Sequence, residues 1–107
     1  MENSKAVAKV KDIQAKLNAV ITIAKCEIED VFKEHFFSNT NKIVFNRYIQ
    51  VGETDYDTVK ELKLENGNVY VYFPNYLEQY AWKPITALSI DKMYKLLTNI
   101  DFYGYTL

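Results

Sequence analysis

Hydrophobic residues in the N-terminal third of the chain recur at spacings of three and four positions, as on one face of a helix. The stripe consists of Val10, Ile13, Leu17, Val20 and Ala24. The first glycine is Gly52 and the first proline is Pro74, so neither strong helix breaker occurs earlier. The pattern predicts one long helix over residues 3–37, with a break near residues 27–29, giving two helices, as the alternative.

The pattern then changes from helical spacing to the features of β-strands. Residues 42–51 are rich in β-branched and aromatic side chains, which favours a strand. Residues 58–65 and 68–73 alternate apolar and polar positions around Asn66-Gly67, a pair typical of a two-residue type I′ turn. Together these segments predict a three-stranded antiparallel meander.

The two-residue turn also predicts which residues of the hairpin face each other. The apolar face carries two opposed pairs, Leu64 with Val69 and Leu62 with Val71. The other face carries two tyrosines opposed by charged side chains, Lys63 with Tyr70 and Glu61 with Tyr72. We therefore expect a sheet with one buried face and one wetter face.

The C-terminal third predicts an irregular segment, a helix and a tail. Residues 74–83 are predicted to be irregular, and they contain Tyr76, Tyr80 and Trp82. Ser89 is a candidate N-cap for a second helix that runs from Ile90 to about Ile100. Its apolar face consists of Ile90, Met93, Leu96, Leu97 and Ile100. The apolar tail, residues 102–107, is expected to pack back on the domain, and one alternative for its structure is a short strand.

The order of elements predicts an α+β fold, α-β-β-β-α, with the long N-terminal helix and the C-terminal helix packed on one face of the sheet. A chain of 107 residues buries about two-thirds of its extended surface on folding. That burial suffices for one core without metal or disulfide support. We therefore expect a single domain over residues 1–107.

Candidate catalytic and metal-binding residues are few. Cys26 and His35 are the only cysteine and histidine, and on one helix their spacing puts them on opposite sides. Zinc sites use three or four such ligands, and three glycines are too few for the common phosphate-binding loops. We expect no enzymatic activity, no metal and no cofactor. Cys26 is expected to be a small core or interface residue.

The charge balance disfavours a nucleic-acid partner. Lysine and arginine total 13 against 14 acidic residues, a net charge of −1, and Arg47 is the only arginine. Nucleic-acid-binding proteins are usually basic and use arginine for its forked hydrogen-bond geometry. The alternative is a nucleic-acid-binding protein that uses the lysines on the exposed side of the first helix, Lys5, Lys9, Lys11 and Lys16.

Cysteine usage and hydropathy predict the cellular location. A single cysteine cannot form an intramolecular disulfide, which fits a reducing cytoplasm. The N-terminal residues contain no apolar stretch typical of a secretion signal. No segment approaches the ~20 apolar residues of a membrane span. We expect a cytoplasmic protein, of its own cell or of a host, without a membrane partner.

Tyrosines and acidic residues indicate a surface that binds a protein. Nine tyrosines are many for this length, and tyrosine gives a large, rigid contact at recognition surfaces. Residues 53–65 contain five acids and two lysines, which favours a partner with a basic face. The predicted partner-binding residues are Asp55, Tyr56, Asp57, Glu61, Lys63, Tyr70 and Tyr72. The alternative is that a second layer of the fold covers the tyrosine face.

This surface predicts a small protein-protein interaction module. A sharper version is an inhibitor, encoded by a phage or a mobile element, of a nucleic-acid-binding enzyme such as a defence nuclease. Its carboxylates would lie where the phosphates of the nucleic acid bind.

The predicted first helix also separates its charges. Residues 1–25 carry five lysines and two acids, whereas residues 26–34 carry four acids and one lysine. An antiparallel pair of such helices places each basic half beside an acidic half. This arrangement predicts an antiparallel homodimer, or a self-associating adaptor, whose interface is Val10, Ile13, Leu17, Val20 and Ala24. The alternative is that the same stripe packs on the chain's own sheet, since a three-stranded sheet needs a helix on its core face.

Overall fold

A computed structural model describes the backbone of residues 4–15 and 21–103 and the side chains of residues 5–11 and 21–100. In chain order its elements are α1 (Ser4–Ala15), α2 (Ile21–Phe36), β1 (Lys42–Gln50), β2 (Thr58–Glu65), β3 (Asn68–Tyr72), α3 (Glu78–Ala81), β4 (Trp82–Pro84) and α4 (Ile90–Tyr103). Two short 3-10 turns cover Asp55–Asp57 and Ile85–Ala87. The class is α+β, as predicted.

The sheet is antiparallel, with its four strands in the order β1-β2-β3-β4. Its central hairpin has the predicted register: Leu64 faces Val69, and Lys63 faces Tyr70. Asn66 and Gly67 both have positive φ, 52° and 80°, as a type I′ turn requires. The prediction of the hairpin and of its turn is confirmed.

Strand β4 is the departure from the predicted three-stranded meander. Trp82–Pro84 pairs with Tyr70 to Tyr72 of β3, in the segment predicted to be irregular. Phe73 N donates to Ala81 O at 2.7 Å, which extends this pairing. A three-residue strand shows no alternation to recognise, and its proline is tolerated because the strand lies at the edge of the sheet.

Two helices cover most of the first 37 residues, so the prediction of one long helix is wrong. A straight helix would place Lys9 and Glu34 roughly 37 Å apart, whereas their side chains meet at 3.5 Å. The alternative break near residues 27–29 is also wrong, because α2 runs uninterrupted from Ile21 to Phe36. A helix over residues 3–37 would be roughly 52 Å long, and the longest axis of the protein is 35 Å. Folding back lets α1 pack against both α2 and α4.

The helices and the inward face of the sheet share one hydrophobic core. The predicted apolar face of α4 is confirmed, since Ile90, Met93, Leu96, Leu97 and Ile100 are all buried. Ser89 caps this helix as predicted: Lys92 N donates to Ser89 Oγ at 3.2 Å. The helix continues to Tyr103, so the tail is helical at its start, and residues 104–107 lie outside the described residues.

Part of the predicted dimer stripe belongs to this core. Val10 and Ala24 are buried in the core that the helices share with the sheet of the same chain. The alternative expected the stripe to pack on the sheet, whereas α1 packs mainly against α2 and α4. The side chain of Ile13, and the whole of Leu17 and Val20, lie outside the described residues. The separated charges meet within the chain where Lys9 pairs with Glu34. The homodimer stays a prediction, and Val10 and Ala24 are not exposed to form it.

Polar contacts hold α2 against the turn end of the hairpin. Glu29 is buried, and its Oε2 accepts a hydrogen bond from Val69 N at 2.9 Å. Lys33 Nζ donates to Gly67 O at 2.9 Å. These two contacts fix the position of the helix along β3, and they bring a carboxylate into an otherwise apolar contact.

Candidate protein-binding surface

Asp57 organises the loop that connects β1 to β2. Its carboxylate accepts hydrogen bonds from Thr54 Oγ1 at 3.1 Å and from Lys92 Nζ at 3.1 Å. Val51 N donates to the Asp57 backbone carbonyl at 2.8 Å. Because Lys92 belongs to α4, the ion pair joins the loop to the C-terminal helix.

These contacts distinguish Asp57 from the other acidic residues of the loop. The hydrogen bond from Lys92 lowers the pKa of Asp57 below its ordinary value of 3.8; burial opposes this, and the hydrogen bonds from Thr54 lower it further. Gly52 passes so close that a β-carbon there would lie 2.7 Å from Asp57 Cβ. Asp57 is a predicted partner-binding residue, but its carboxylate is engaged within the chain.

A second set of contacts joins this loop to residues 74–81, which follow β3. The ring centroids of Tyr56 and Tyr76 are 5.3 Å apart, and Asn75 Nδ2 donates to Asp55 O. Lys83 Nζ lies 3.7 Å from the centre of the Tyr76 ring. The two segments therefore form one surface. We call it the acidic-aromatic surface, and its members are Glu53, Asp55, Tyr56, Tyr76, Leu77, Glu78 and Tyr80.

The acidic-aromatic surface combines exposed apolar side chains with carboxylates. Tyr56, Leu77 and Tyr80 are 57%, 71% and 57% exposed. Residues 53–57 and 74–81 together contain four acidic residues and no lysine or arginine. Within the described part of the chain, Asp57 has a cationic partner, and three acids have none: Glu53, Asp55 and Glu78. Exposed apolar area beside uncompensated negative charge is typical of a surface that binds a basic partner.

The polar face of the hairpin is an ordered array of rings and paired charges. Its four predicted members, Glu61, Lys63, Tyr70 and Tyr72, are all half-buried. The rings of Tyr72 and Trp82 pack at a tilt of 43° across the β3–β4 pair, with centroids 5.0 Å apart. Lys63 Nζ lies 4.4 Å from the Trp82 ring centre and 3.0 Å from the Glu65 carboxylate. The tyrosines of this face are therefore held by neighbours on the same face.

An open groove of about 680 Å³ connects the hairpin face with the acidic-aromatic surface. Its lining includes three rings, two carboxylates and one ammonium group: Tyr72, Tyr76, Trp82, Glu61, Glu78 and Lys42. Glu61 Oε1 is buried and lies 3.1 Å from Lys42 Nζ, an ion pair whose geometry does not make a hydrogen bond. Glu78 is left as the groove's carboxylate without an ion pair among the described residues.

The groove connects residues of the predicted partner-binding site through residues that were not part of that prediction. Tyr56 contacts the lining residue Tyr76, Asp55 precedes Tyr56 in the same loop, and Glu61 and Tyr72 line the groove itself. The connecting residues that the prediction missed are Tyr76, Glu78 and Trp82. Their signal in the sequence is the concentration of aromatic side chains in residues 74–83. The aromatic residues alone do not show which residues they contact, because the sequence does not reveal that β4 pairs with β3.

The other candidate residues lie on α2, away from any cluster of reactive groups. Cys26 is exposed, so it is not a core residue; the turn that buries Ile28 points it outward. His35 is half-buried near the end of the helix, with its ring centre 5.3 Å from that of Phe36. In residues 4–15 and 21–103, no group of three or more histidine, cysteine or acidic side chains could hold a metal ion. In the same ranges, no helix is long and apolar enough to cross a membrane.

Comparison with known proteins adds no relative. No protein-family model matches this chain, and neither a curated protein sequence nor a solved structure matches it. The function is therefore inferred from the chemistry of the surface.

Proposed function

We propose that this chain is a small, non-catalytic protein-binding module that holds a partner with a basic face through its acidic-aromatic surface. The observation that carries the proposal is the connection of the β1–β2 loop to residues 74–81 by the Tyr56–Tyr76 contact and the Asn75 hydrogen bond. The two joined segments carry three exposed apolar side chains and three carboxylates without a counter-charge in the described part of the chain. The rings supply contact area, and the acids steer a basic partner toward them.

In its sharper form, the proposal names the class of partner. The module is an inhibitor, encoded by a phage or a mobile element, of a nucleic-acid-binding enzyme such as a defence nuclease. Glu53, Asp55 and Glu78 would lie in the cleft where that enzyme holds phosphates. The exposure of Glu53, Asp55 and Glu78 supports this form, since a carboxylate must be free to replace a phosphate.

Affinity capture with a charge-reversed variant tests the proposal. The wild-type chain and Glu53→Lys/Asp55→Lys are used to capture proteins from lysate of the source cell or its host. We expect one stoichiometric protein with the wild-type chain and at least about tenfold lower recovery with the variant, because opposed like charges cost several kcal/mol. The matched control is Glu27→Lys/Glu34→Lys, which reverses two exposed acids of α2 and should retain the partner.

Equal recovery by the charge-reversed variant and the wild-type chain would contradict the proposal. For the inhibitor form, the captured enzyme is assayed on its nucleic-acid substrate with and without added module. A lower rate with the wild-type module, and an unchanged rate with Glu53→Lys/Asp55→Lys, supports it. An unchanged rate with both eliminates the inhibitor form.

Nucleic-acid binding through α1 is the alternative function. Lys5, Lys9 and Lys11 are exposed, but Lys9 pairs with Glu34, and Lys16 lies outside the described residues. Binding of this kind releases counterions and weakens steeply as salt rises. Recovery of nuclease-sensitive material that is lost at high salt, and lost again in Lys5→Glu/Lys11→Glu, would favour this alternative over the protein-binding module.

The remaining alternative is an adaptor protein that self-associates through the first-helix stripe. Light scattering at tens of micromolar measures it directly. A monomer at that concentration removes the predicted homodimer, and a dimer that Leu17→Asp dissociates supports it.

A further inference from the structure

We infer that the groove between the hairpin face and the acidic-aromatic surface binds an arginine side chain of the partner. The inference rests on the proposed function, because it names the side chain by which a basic partner is held. The groove is continuous with the acidic-aromatic surface, since Tyr76 and Glu78 belong to both.

The rings of the groove suit a planar cation. A guanidinium group stacks on aromatic faces and is attracted by their electron density. Two lysines of the chain already make this kind of contact, Lys63 at 4.4 Å from the Trp82 ring centre and Lys83 at 3.7 Å from the Tyr76 ring centre. Neither lysine lines the groove. Both ammonium groups contact their rings without lining the groove. The guanidinium of a partner would contact the same rings from within the groove.

The charges of the groove favour a cation over an anion or a neutral group. Glu61 is paired with Lys42 at 3.1 Å, so Glu78 carries the uncompensated charge of the lining. A guanidinium neutralises Glu78, the one carboxylate of the lining without an ion pair, and can donate two parallel hydrogen bonds to it. A phosphate would instead meet two carboxylates and a single ammonium group. An apolar side chain would cover Glu78 without giving it a partner, which is costly.

Arginine suits this groove better than lysine for a geometric reason. Its planar fork can stack on a ring and bind a carboxylate at the same time, whereas an ammonium group is a compact, strongly hydrated point charge. The rings of Tyr72 and Trp82 and the carboxylate of Glu78 line one groove, which offers both kinds of contact on the same surface.

Tryptophan fluorescence can test the inference, because Trp82 is the only tryptophan of the chain and it lines the groove. The probe is a blocked tripeptide, acetyl-Gly-Arg-Gly-amide, titrated into the purified full-length protein. The matched probe carries citrulline, which has nearly the same shape as arginine and no charge. We expect a saturable change with the arginine peptide and about tenfold weaker binding of the citrulline peptide, the size of one charge-assisted contact.

Two variants locate the binding. Glu78→Gln keeps the size of an exposed side chain and removes its charge, so it should weaken arginine binding about tenfold. Glu27→Gln makes the same change on α2 and should leave binding unaltered. No saturable change, equal binding of both peptides, or equal binding by Glu78→Gln and the wild-type chain would overturn the inference. Stronger binding of a single-stranded oligonucleotide, such as ten thymidylates, would also overturn it.

The two proposals fail in different ways. The capture variant changes Glu53 and Asp55 and leaves Glu78 intact. Capture of a partner that this variant loses, with no response to the arginine peptide, overturns the arginine site and leaves the proposed function standing. A response to the arginine peptide without any captured protein overturns the proposed function. The preference of the groove for arginine over citrulline would still stand.

Discussion

Glu29→Ala removes the hydrogen-bond acceptor of a buried backbone amide and should destabilise the protein. Leu64 and Val69 face each other next to the closing pair of a two-residue turn, so Val69 N–H points away from β2. Strand β4 ends at Pro84, opposite Tyr70, and does not extend to Val69. Glu29 Oε2 supplies the acceptor at 2.9 Å. A side chain of the helix layer thus completes the pairing of the sheet.

The magnitude follows from the burial of both groups. Val69 is fully buried and Glu29 is 7% exposed, so water does not readily replace the lost carboxylate. A buried N–H without a partner costs about 1–3 kcal/mol, and the one lost methylene adds up to about 0.8 kcal/mol. We expect Glu29→Ala to lower the free energy of unfolding by about 2–4 kcal/mol, a large part of the ~5–15 kcal/mol typical of a domain. Glu29→Gln keeps an acceptor oxygen and should cost about 1 kcal/mol.

Urea unfolding, followed by circular dichroism and by Trp82 fluorescence, measures these differences. Hydrogen exchange of the Val69 amide gives a local readout, and it should be faster in Glu29→Ala than global destabilisation alone explains. Glu34→Ala is the control: its side chain is 72% exposed on the same helix, and its cost should stay within about 0.5 kcal/mol. Equal free energies of unfolding for Glu29→Ala and Glu34→Ala, or an unchanged exchange rate of the Val69 amide, would contradict this role of Glu29.

Three further predictions concern single positions. Asp57→Asn removes the ion pair with Lys92 and should cost about 1 kcal/mol at neutral pH. Because folding lowers the pKa of Asp57 from 3.8, this difference is complete above that pH and shrinks as the pH falls through it; a difference that is constant between neutral and acid urea titrations contradicts the assignment. Gly52→Ala would place a methyl group 2.7 Å from Asp57 Cβ and should cost about 1–3 kcal/mol, seen as a lower Tm; an unchanged Tm contradicts the close approach. Cys26 is exposed, so a thiol-specific aromatic disulfide should label the folded protein stoichiometrically. Labelling that occurs only in denaturant would contradict the exposure of Cys26.

Features that depend on a few neighbouring residues were predictable. The Asn66-Gly67 turn sets the register of its hairpin, because two residues with positive φ leave one pairing of the flanking strands. Ser89 and the spacing of apolar residues after it predict α4, because capping and helical periodicity act within one or two turns. The tyrosine face follows from the same alternation along β2 and β3.

The candidate site was predictable only in part. Alternation places Tyr70 and Tyr72 on one face, but it does not show that a three-residue strand packs Trp82 against Tyr72. A run of acidic residues indicates a charged loop, and it does not distinguish Asp57, engaged by a lysine 35 positions away, from Asp55. In both cases the deciding neighbour is distant in the sequence.

The α+β class, the hairpin with its register and the inward face of α4 could be read from the sequence alone, because each depends on local periodicity, and the single cysteine and single histidine follow from residue counts. Tertiary structure decided where the N-terminal stripe folds back, since the same spacing of apolar residues serves one long helix or two, and burial of Val10 and Ala24 in the shared core selects two. It also decided the contact between Glu29 and Val69, 40 positions apart, and the groove that joins β2, β3 and β4. Such contacts form only when the whole chain is packed, because no local pattern records which distant groups will face each other.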